Sequence, residues 1–223
     1  MNYQIDAPGS AIRTTVKLPA SKSISNRALI LNALSYSAYD VENLSDCDDT
    51  NLMVKALNSN DRDFNVGAAG TTMRFLTAFL SKVVGEWTIT GTERMKNRPI
   101  KVLVDALNAL GARIEYMEKE GYPPLRIFGS ALQGGEISLP GNVSSQYISA
   151  ILMIAPLTEN GVTLHLEGAI ISRPYIHITL QLMEQYGVRA SWTENMIKVL
   201  PQEYKPIHFT VESDWSAASY WYE

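Results

Sequence analysis

The sequence predicts an α/β (α+β) domain in which a two-helix, multi-strand unit is used three times. Six helix-like segments alternate with short segments rich in Thr, Val and Ile, as in folds that layer helices on sheets. Two helix-to-strand passages, 98–113 and 173–189, both open on Arg-Pro and both reach a Gly before a strand. They lie about 75 positions apart, a period too long for a solenoid and suited to a repeat within one domain.

The elements follow from apolar periodicity and from the residues that flank each run. The predicted helices are 22–36, 49–57, 70–83, 98–110, 144–157 and 173–186. The predicted strands are 12–17, 87–90, 113–116, 125–127, 162–166, 189–192, 197–200 and 208–211. The helix at 49–57 fills the matching position in a shorter first unit.

Polar residues collect where these helices begin. The densest group is Leu-Pro-Ala-Ser-Lys-Ser-Ile-Ser-Asn-Arg at 18–27, with Ser21 as a plausible N-cap. Similar openings occur at Gly70, Ser144 and Ser172. Helix N-termini offer unpaired N–H groups and a positive dipole end, which favour anions. If three units pack around an internal pseudo-threefold axis, several of these openings face one end of the domain, and the sequence predicts a polyanion-binding face.

Composition and charge exclude several classes of protein. The chain has 223 residues, 46% hydrophobic and 19% charged, which is typical of a folded protein. Its net charge of −4 and its lack of a Lys/Arg run disfavour a nucleic-acid partner. A single cysteine, Cys47, allows no internal disulfide, and no apolar run is long enough to cross a membrane. We therefore expect a soluble, cytoplasmic protein with no membrane partner.

Six motifs occur in one order along the chain. They are PASKSISNR at 19–27, AGTTMR at 69–74, RMKNRP at 94–99, SSQ at 144–146, SRPY at 172–175 and DWSAASY at 214–220. Together they closely resemble the 5-enolpyruvylshikimate-3-phosphate synthase (3-phosphoshikimate 1-carboxyvinyltransferase) family. The resemblance implies two enolpyruvyl transferase-like domains, each with three βαβαββ units around a pseudo-threefold axis. It also implies transfer of the enolpyruvyl group of phosphoenolpyruvate to the 5-hydroxyl of shikimate 3-phosphate in the shikimate pathway, with no cofactor and no metal.

The resemblance also assigns roles to individual residues. Lys22 becomes a contact to both substrates and the candidate catalytic residue for proton transfer. The implied contacts to shikimate 3-phosphate are Lys22, Ser23, Arg27, Ser144, Ser145, Gln146, Ser172 and Tyr175. Those to phosphoenolpyruvate are Lys22, Gly70, Arg94 and Gln146. Asp49 is expected either to orient Lys22 or to cap a helix, and Arg74 and Arg98 either to contact ligand or to form structural ion pairs. The histidines at 165, 177 and 208 show no metal-ligand spacing and are predicted to be structural.

The resemblance divides the chain into three parts. Residues 1–18 are expected to hold a first strand that belongs with a second domain, 19–205 a complete three-unit domain, and 206–223 the start of a return into that second domain. The family's acid/base carboxylates lie in the part of the second domain that is missing here. We therefore expect a truncated chain, inactive alone, whose partners are the two substrates and the missing C-terminal domain.

Two other functions fit parts of the pattern. A sister family transfers enolpyruvate to UDP-N-acetylglucosamine, but it carries Lys-Asn where this chain has Lys22-Ser23, and it commonly uses a loop cysteine. A non-catalytic phospho-ligand-binding module is the second alternative. The chain also has Ala20, Ala68 and Phe75 at positions where many relatives carry Gly, Asn and Pro.

Overall fold

The computed structural model, which describes residues 9, 11 and 13–222, contains the predicted repeat as two successive units of matching topology. The earlier of these comprises β2 (Asp63–Asn65), α3 (Gly70–Lys82), β3 (Gly85–Thr90), α4 (Glu93–Lys96), α5 (Lys101–Ala109), β4 (Arg113–Tyr116) and β5 (Leu125–Gly129). Its sheet has the order β2-β3-β5-β4, with β2 and β3 parallel and the remaining pairs antiparallel.

The later unit repeats this plan. It comprises β6 (Gly135–Pro140), α6 (Ser145–Ile154) with a 3₁₀ turn at Ala155–Leu157, β7 (Val162–Glu167), α7 (Arg173–Gln185), β8 (Ala190–Thr193) and β9 (Met196–Val199). The sheet order is β6-β7-β9-β8, again with one parallel and two antiparallel pairs. The α/β fold of repeated βαβαββ units is therefore confirmed.

The first unit is shorter and is assembled from two distant parts of the chain. It contains α1 (Lys22–Leu34), β1 (Val41–Glu42) and α2 (Asp48–Leu57), and its second strand is β10 (Phe209–Thr210). Strand β1 pairs with β10 in parallel, and a bridge joins Ala20 to Ser213. A short helix, α8 (Trp215–Ser219), follows. Residues 209–213 thus pack on the first unit, while the expected domain boundary near 206 stays a prediction.

The hydrophobic core lies between the helices and the inner faces of the two four-stranded sheets. Helix α6 is buried on all sides from Tyr147 to Ile154, and α3 is buried along most of its length. A helix that is apolar all round belongs in a core, and each fully buried Ile or Leu contributes about 1.5–3 kcal/mol. The strands alternate buried and exposed residues, so each sheet turns one face to solvent. Within the described part of the chain, no helix is both long and apolar enough to cross a bilayer.

Some sequence predictions were wrong in detail. Residues 13–17 of the strand predicted at 12–17 form no regular structure, because no neighbouring strand lies beside them in the described residues; Ile12 lies outside those residues. The strands β1, β2 and β6 and the short helix α4 were not predicted. The helix predicted from Arg98 begins instead at Lys101, because the backbone N–H groups of Arg98 and Ile100 bond to Met95 and Gly121 and hold a turn there.

Candidate functional site

Four helix N-termini from the three units meet at one cleft of about 290 Å³. Helix α1 contributes Lys22, α3 contributes Thr71, α6 contributes Gln146 and α7 contributes Tyr175. The full lining is Lys22, Ser23, Asn26, Arg27, Thr71, Ser144, Ser145, Gln146 and Tyr175. Converging N-termini concentrate N–H donors and positive dipole ends. The structure therefore brings together seven of the predicted site residues at a place suited to an anion.

Arg27 forms the floor of this cleft and is 2% exposed. Its Nε donates to Thr179 Oγ1 at 2.7 Å, its Nη1 to the Ser23 carbonyl at 2.8 Å and its Nη2 to Ser149 Oγ at 2.9 Å. The contact from Nη2 to the Tyr175 carbonyl is longer, at 3.5 Å. A guanidinium carries five N–H donors, so one Nη1 proton stays unpaired within the described structure and one Nη2 proton is weakly held.

The charge of Arg27 is not neutralised by the described residues, none of which places a carboxylate within 4.0 Å of it. Burial lowers the pKa of Arg27 to about 10, so the side chain remains charged at neutral pH. A buried cation without an acid is costly unless a partner of opposite charge arrives. This is the electrostatic signature of an anion site.

A second polar group joins the start of α3 to the start of α6. Gln146 Oε1 accepts from Arg74 Nη1 at 2.8 Å, and Gln146 Nε2 donates to Thr71 Oγ1 at 3.1 Å. Arg74 also donates to the Gly70 carbonyl, and its guanidinium lies over the ring of Tyr147. Because arginine can only donate, the amide oxygen of Gln146 must face Arg74. Gln146 is therefore fixed in one orientation.

Arg98, and not Arg94, lies against Gly70. A Cβ added at Gly70 would clash with Arg98 Nη1 and stand 2.7 Å from Nη2, so only glycine leaves room for this guanidinium. Burial, and then the neighbouring charge of Arg74, lower the pKa of Arg98. Arg94 is exposed on α4. The turn after α4 therefore brings Arg98 to Gly70, while the phosphoenolpyruvate contact that the resemblance implies for Arg94 stays a prediction.

Asp49 caps the start of helix α3, and its expected role in orienting Lys22 stays a prediction. Its Oδ1 accepts from the backbone N–H of Thr71 at 2.9 Å, and its carbonyl accepts from Thr72 Oγ1 at 2.6 Å. Among the described contacts Lys22 makes no ion pair with it. The carboxylate serves the N-terminus of α3, although it stands on the first turn of α2.

The predicted serines differ in their placement. Ser144 is the N-cap of α6, and its Oγ accepts from the backbone N–H of Gln146 at 3.3 Å. Ser145 is buried and lines the cleft beside it. Ser172 precedes α7 but is not among the residues that line the cleft. Its place in the site stays a prediction.

Sequence reasoning missed several polar residues of the site. Asn26 and Thr71 line the cleft, and Asn26 Nδ2 is buried without a hydrogen-bond partner in the described residues. Ser149 and Thr179 lie beneath Arg27, and both are fully buried. The sequence did carry a signal for Ser149 and Thr179, because a hydroxyl on the buried face of a helix needs a hydrogen-bond partner.

The chemistry of the lining is that of a binding surface for anions. It offers lysine, arginine, hydroxyl and amide groups but no carboxylate, so nothing in it can act as a carboxylate general acid or base. In the described residues, no group of three or more His, Cys, Asp or Glu is arranged to hold a metal ion.

Comparison with known proteins identifies a family. The family model described as EPSP synthase (3-phosphoshikimate 1-carboxyvinyltransferase) matches residues 7–61 and 58–223. A 3-phosphoshikimate 1-carboxyvinyltransferase of Bacteroides fragilis is 61% identical over 224 residues, which cover 100% of this chain and 54% of that protein. Its counterpart in Vibrio campbellii is 43% identical over 242 residues, covering 96% of this chain and 57% of that one.

A solved structure gives the same fold. The EPSP synthase from Acinetobacter baumannii matches 92% of this chain and 51% of its own with a TM-score of 0.81 at 21% identity. The chain spans about half the length of the curated relatives it matches.

Proposed function

The chain belongs to the EPSP synthase (3-phosphoshikimate 1-carboxyvinyltransferase) family, and we propose that its cleft binds shikimate 3-phosphate for enolpyruvyl transfer from phosphoenolpyruvate. In that reaction the 5-hydroxyl gives up its proton to a base as its oxygen bonds to the central carbon of phosphoenolpyruvate, and the methylene carbon gains a proton as the C=C bond becomes single. The tetrahedral intermediate then loses phosphate and a proton. Both substrates are anions, so binding them requires cations and N–H donors.

One observation carries the proposal: a buried arginine without an acid partner at the point where four helices begin. Arg27 is 2% exposed and, in the described structure, bonds only to hydroxyl and carbonyl oxygens. The arrangement costs stability in the free protein. An anionic ligand provides the missing negative charge, and carboxylate and phosphate suit a guanidinium best.

The substrate that carries a ring, shikimate 3-phosphate, fits the side of the cleft between α1, α6 and α7. We assign Arg27 and Ser23 to it, with Lys22 at the rim. Ser144 and Ser145 offer hydroxyls at the start of α6, and we assign them and Ser172 to the 3-phosphate. Tyr175, 42% exposed at the start of α7, supplies a flat surface against which a ring can pack.

Phosphoenolpyruvate fits the side of the cleft that is formed by the N-terminus of α3. Gln146 and Thr71 line the cleft there, Gly70 precedes Thr71, and Arg98 lies against Gly70. We give Arg98 the role that the resemblance implied for Arg94. Arg74 and Arg98 place two positive charges near each other without a carboxylate within 4.0 Å in the described residues. A small, highly charged ligand between such groups relieves their repulsion. Lys22 is the one proposed participant in proton transfer.

Catalysis by this site requires acid/base groups in addition to Lys22, from outside the cleft, because the lining contains no carboxylate. We propose that a further domain, equivalent to the other half of the longer relatives, closes over the cleft and supplies them. The whole enzyme would then act in the cytoplasm, where the one cysteine of this chain, Cys47, needs no partner.

Isothermal titration of the 223-residue chain with shikimate 3-phosphate tests the proposal. We expect binding in the millimolar range or tighter, about −4 kcal/mol or better. Arg27→Met should weaken it at least tenfold, because a charged hydrogen-bonding pair is worth about 1.5–3 kcal/mol. The matched control is Arg113→Met, which removes the same charge from an exposed pair with Glu115 and should leave affinity within twofold.

Two results would count against this function. If UDP-N-acetylglucosamine binds and shikimate 3-phosphate does not, the sister activity is favoured. If shikimate 3-phosphate binds but the chain supplied with the complementary half of a relative gives no product, the cleft belongs to a non-catalytic binding module.

A further inference from the structure

Two buried hydroxyls, Ser149 on α6 and Thr179 on α7, hold the inner side of the Arg27 guanidinium. Both residues are fully buried, so neither can reach a ligand in the cleft. Their distances to Arg27 are 2.9 Å for Ser149 Oγ and 2.7 Å for Thr179 Oγ1. They also contact each other, at 2.8 Å.

The protons in this cluster can be assigned from its geometry. Arg27 only donates, so both hydroxyl oxygens accept from it. Thr179 Oγ1 then directs its own proton to the Tyr175 carbonyl, at 2.9 Å. Ser149 directs its proton to Thr179 Oγ1, which leaves neither hydroxyl proton without an acceptor. Both hydroxyls are thus fully hydrogen-bonded, and the cluster links α1, α6 and α7.

Neutral oxygens hold Arg27 without cancelling its charge. A carboxylate at either position would orient the guanidinium equally well. Its negative charge would, however, neutralise the guanidinium and weaken the attraction between Arg27 and an anion. Phe75, fully buried on α3, covers one face of the guanidinium with its ring centroid 5.3 Å from Cζ. An aromatic face attracts a cation and also adds no formal charge. Every described group behind Arg27 is thus neutral.

We infer that Ser149 and Thr179 are positioning residues for ligand binding: they aim Arg27 at the cleft and preserve its full charge. The inference rests on the proposed function, since it presumes an anion in the cleft. Thr179 should matter more than Ser149, because it bonds to Nε and also anchors the Tyr175 carbonyl at the start of α7.

Affinity measurements on hydroxyl variants test the inference. We expect Thr179→Val to weaken shikimate 3-phosphate binding about tenfold, the effect of losing a hydrogen bond to a charged group. Thr179→Ser restores the hydroxyl and should bind within about twofold of wild type. Thr77→Val is the matched control: Thr77 is equally buried, but its hydroxyl bonds to the Met73 carbonyl of its own helix. It should leave affinity unchanged.

A double-mutant cycle separates positioning from general damage. Arg27→Lys puts a methylene where Arg27 has Nε, so the bond to Thr179 Oγ1 is already gone. Thr179→Val should then cost less than about twofold in the Arg27→Lys background, since residues that act through one contact are not additive. An equal loss in both backgrounds would overturn the inference.

A ligand-free measurement distinguishes failure of this inference from failure of the proposed function. In ¹H–¹⁵N spectra the Arg27 Nε–H signal, identified by its absence in Arg27→Lys, should exchange slowly with water. Thr179→Val should shift that signal and speed its exchange, whereas Thr77→Val should not. If wild type fails to bind shikimate 3-phosphate, the proposed function is wrong, and this spectrum still reports on Arg27. An Nε–H signal that Thr179→Val leaves unmoved refutes the positioning role whatever the affinities.

Discussion

The guanidinium of Arg98 occupies the space where a side chain at Gly70 would begin. The nearest guanidinium atom, Nη1, lies well inside van der Waals contact of an ideal Cβ position at Gly70. Gly70 is the first residue of α3, so the arginine lies across a helix N-terminus. Neither residue can change without consequence for the other.

Gly70→Ala should displace Arg98 and weaken phosphoenolpyruvate binding about tenfold, the loss expected for a charge-assisted contact. The free energy of unfolding should change by less than about 1 kcal/mol, because the backbone at Gly70 has no positive φ and the displaced atoms end a flexible side chain. Ligand titration followed by NMR, with shikimate 3-phosphate present, measures the first quantity, and thermal unfolding the second. In an Arg98→Met background the alanine should have no further effect on affinity.

Arg98→Met and Arg94→Met should differ sharply in their affinity for phosphoenolpyruvate, although they remove the same charge from positions only four residues apart. We expect Arg98→Met to weaken phosphoenolpyruvate binding at least tenfold and Arg94→Met to change it by less than twofold, since Arg94 is exposed on α4. The same titration measures both. Equal losses in the two variants would mean that the cleft recognises total charge and not the arginine beside Gly70.

Gln146→Glu should weaken shikimate 3-phosphate binding by at least about tenfold, because it places a carboxylate against Arg74 and adds negative charge to an anion site. The Thr71 hydroxyl also loses its donor. Gln185→Glu, on the exposed last turn of α7, changes the net charge equally and should be neutral. Calorimetric titration of both variants decides the matter, and tighter binding by Gln146→Glu would contradict the proposed site.

The free energy of unfolding should fall between pH 10 and 12. Burial raises the pKa of Tyr186 to about 12 and that of Tyr204 well above its usual range. A tyrosine in the unfolded chain titrates near 10, so in this interval the folded state retains protons that the unfolded state has lost. Stability then declines by up to about 1.4 kcal/mol per pH unit for each tyrosine. The pKa of Arg27 is lowered instead, so above pH 10 the unfolded state keeps a proton that the folded state has lost. This effect raises the free energy of unfolding with pH and offsets part of the decline.

Tyr186→Phe isolates one of these contributions. Its hydroxyl makes only a 3.5 Å contact to the Ala28 carbonyl, so removing it should change stability little at pH 7. The slope between pH 10 and 12 should become shallower by about 1.4 kcal/mol per pH unit. Urea unfolding at a series of pH values measures it, and an unchanged slope would show that Tyr186 ionises freely in the folded protein.

Helix positions and their meeting point were accessible from the sequence. The start of α1 at Lys22, of α3 at Gly70 and of α7 at Arg173 match the predicted starts, because caps and apolar periodicity are local signals. The predicted repeat then required several helix N-termini to face one end of the domain, and four of them do. The sequence thus predicts helix positions and their meeting point, because long periodic helices and the repeat that relates them are both visible in it.

Other features depend on pairing and packing that sequence does not display. Strand β1 has only two residues and forms only because it lies beside β10, which falls within the strand predicted at 208–211. Strand β6 could have been predicted from the sequence, because the apolar residues Ile137 and Leu139 alternate with polar ones that are exposed. Arg94 and Arg98 occur in the same motif, and only the turn between α4 and α5 decides which one reaches Gly70. The hydroxyls behind Arg27 come from helices 122 and 152 positions away.

The first unit is built from two distant parts of the chain, so it can be completed only late in the synthesis of this chain. Asn43 Nδ2 donates to the Val211 carbonyl across 168 positions. The backbone N–H of Ser21 donates to the Glu212 carbonyl, and that of Asp214 donates to the Pro19 carbonyl. At about 5–20 residues per second, a ribosome needs roughly 10–30 s between the two halves of this unit. The two later units can close while β1 still lacks its partner strand, β10. The helix that carries Lys22 and Arg27 is therefore the last part of the cleft to be secured on a nascent chain.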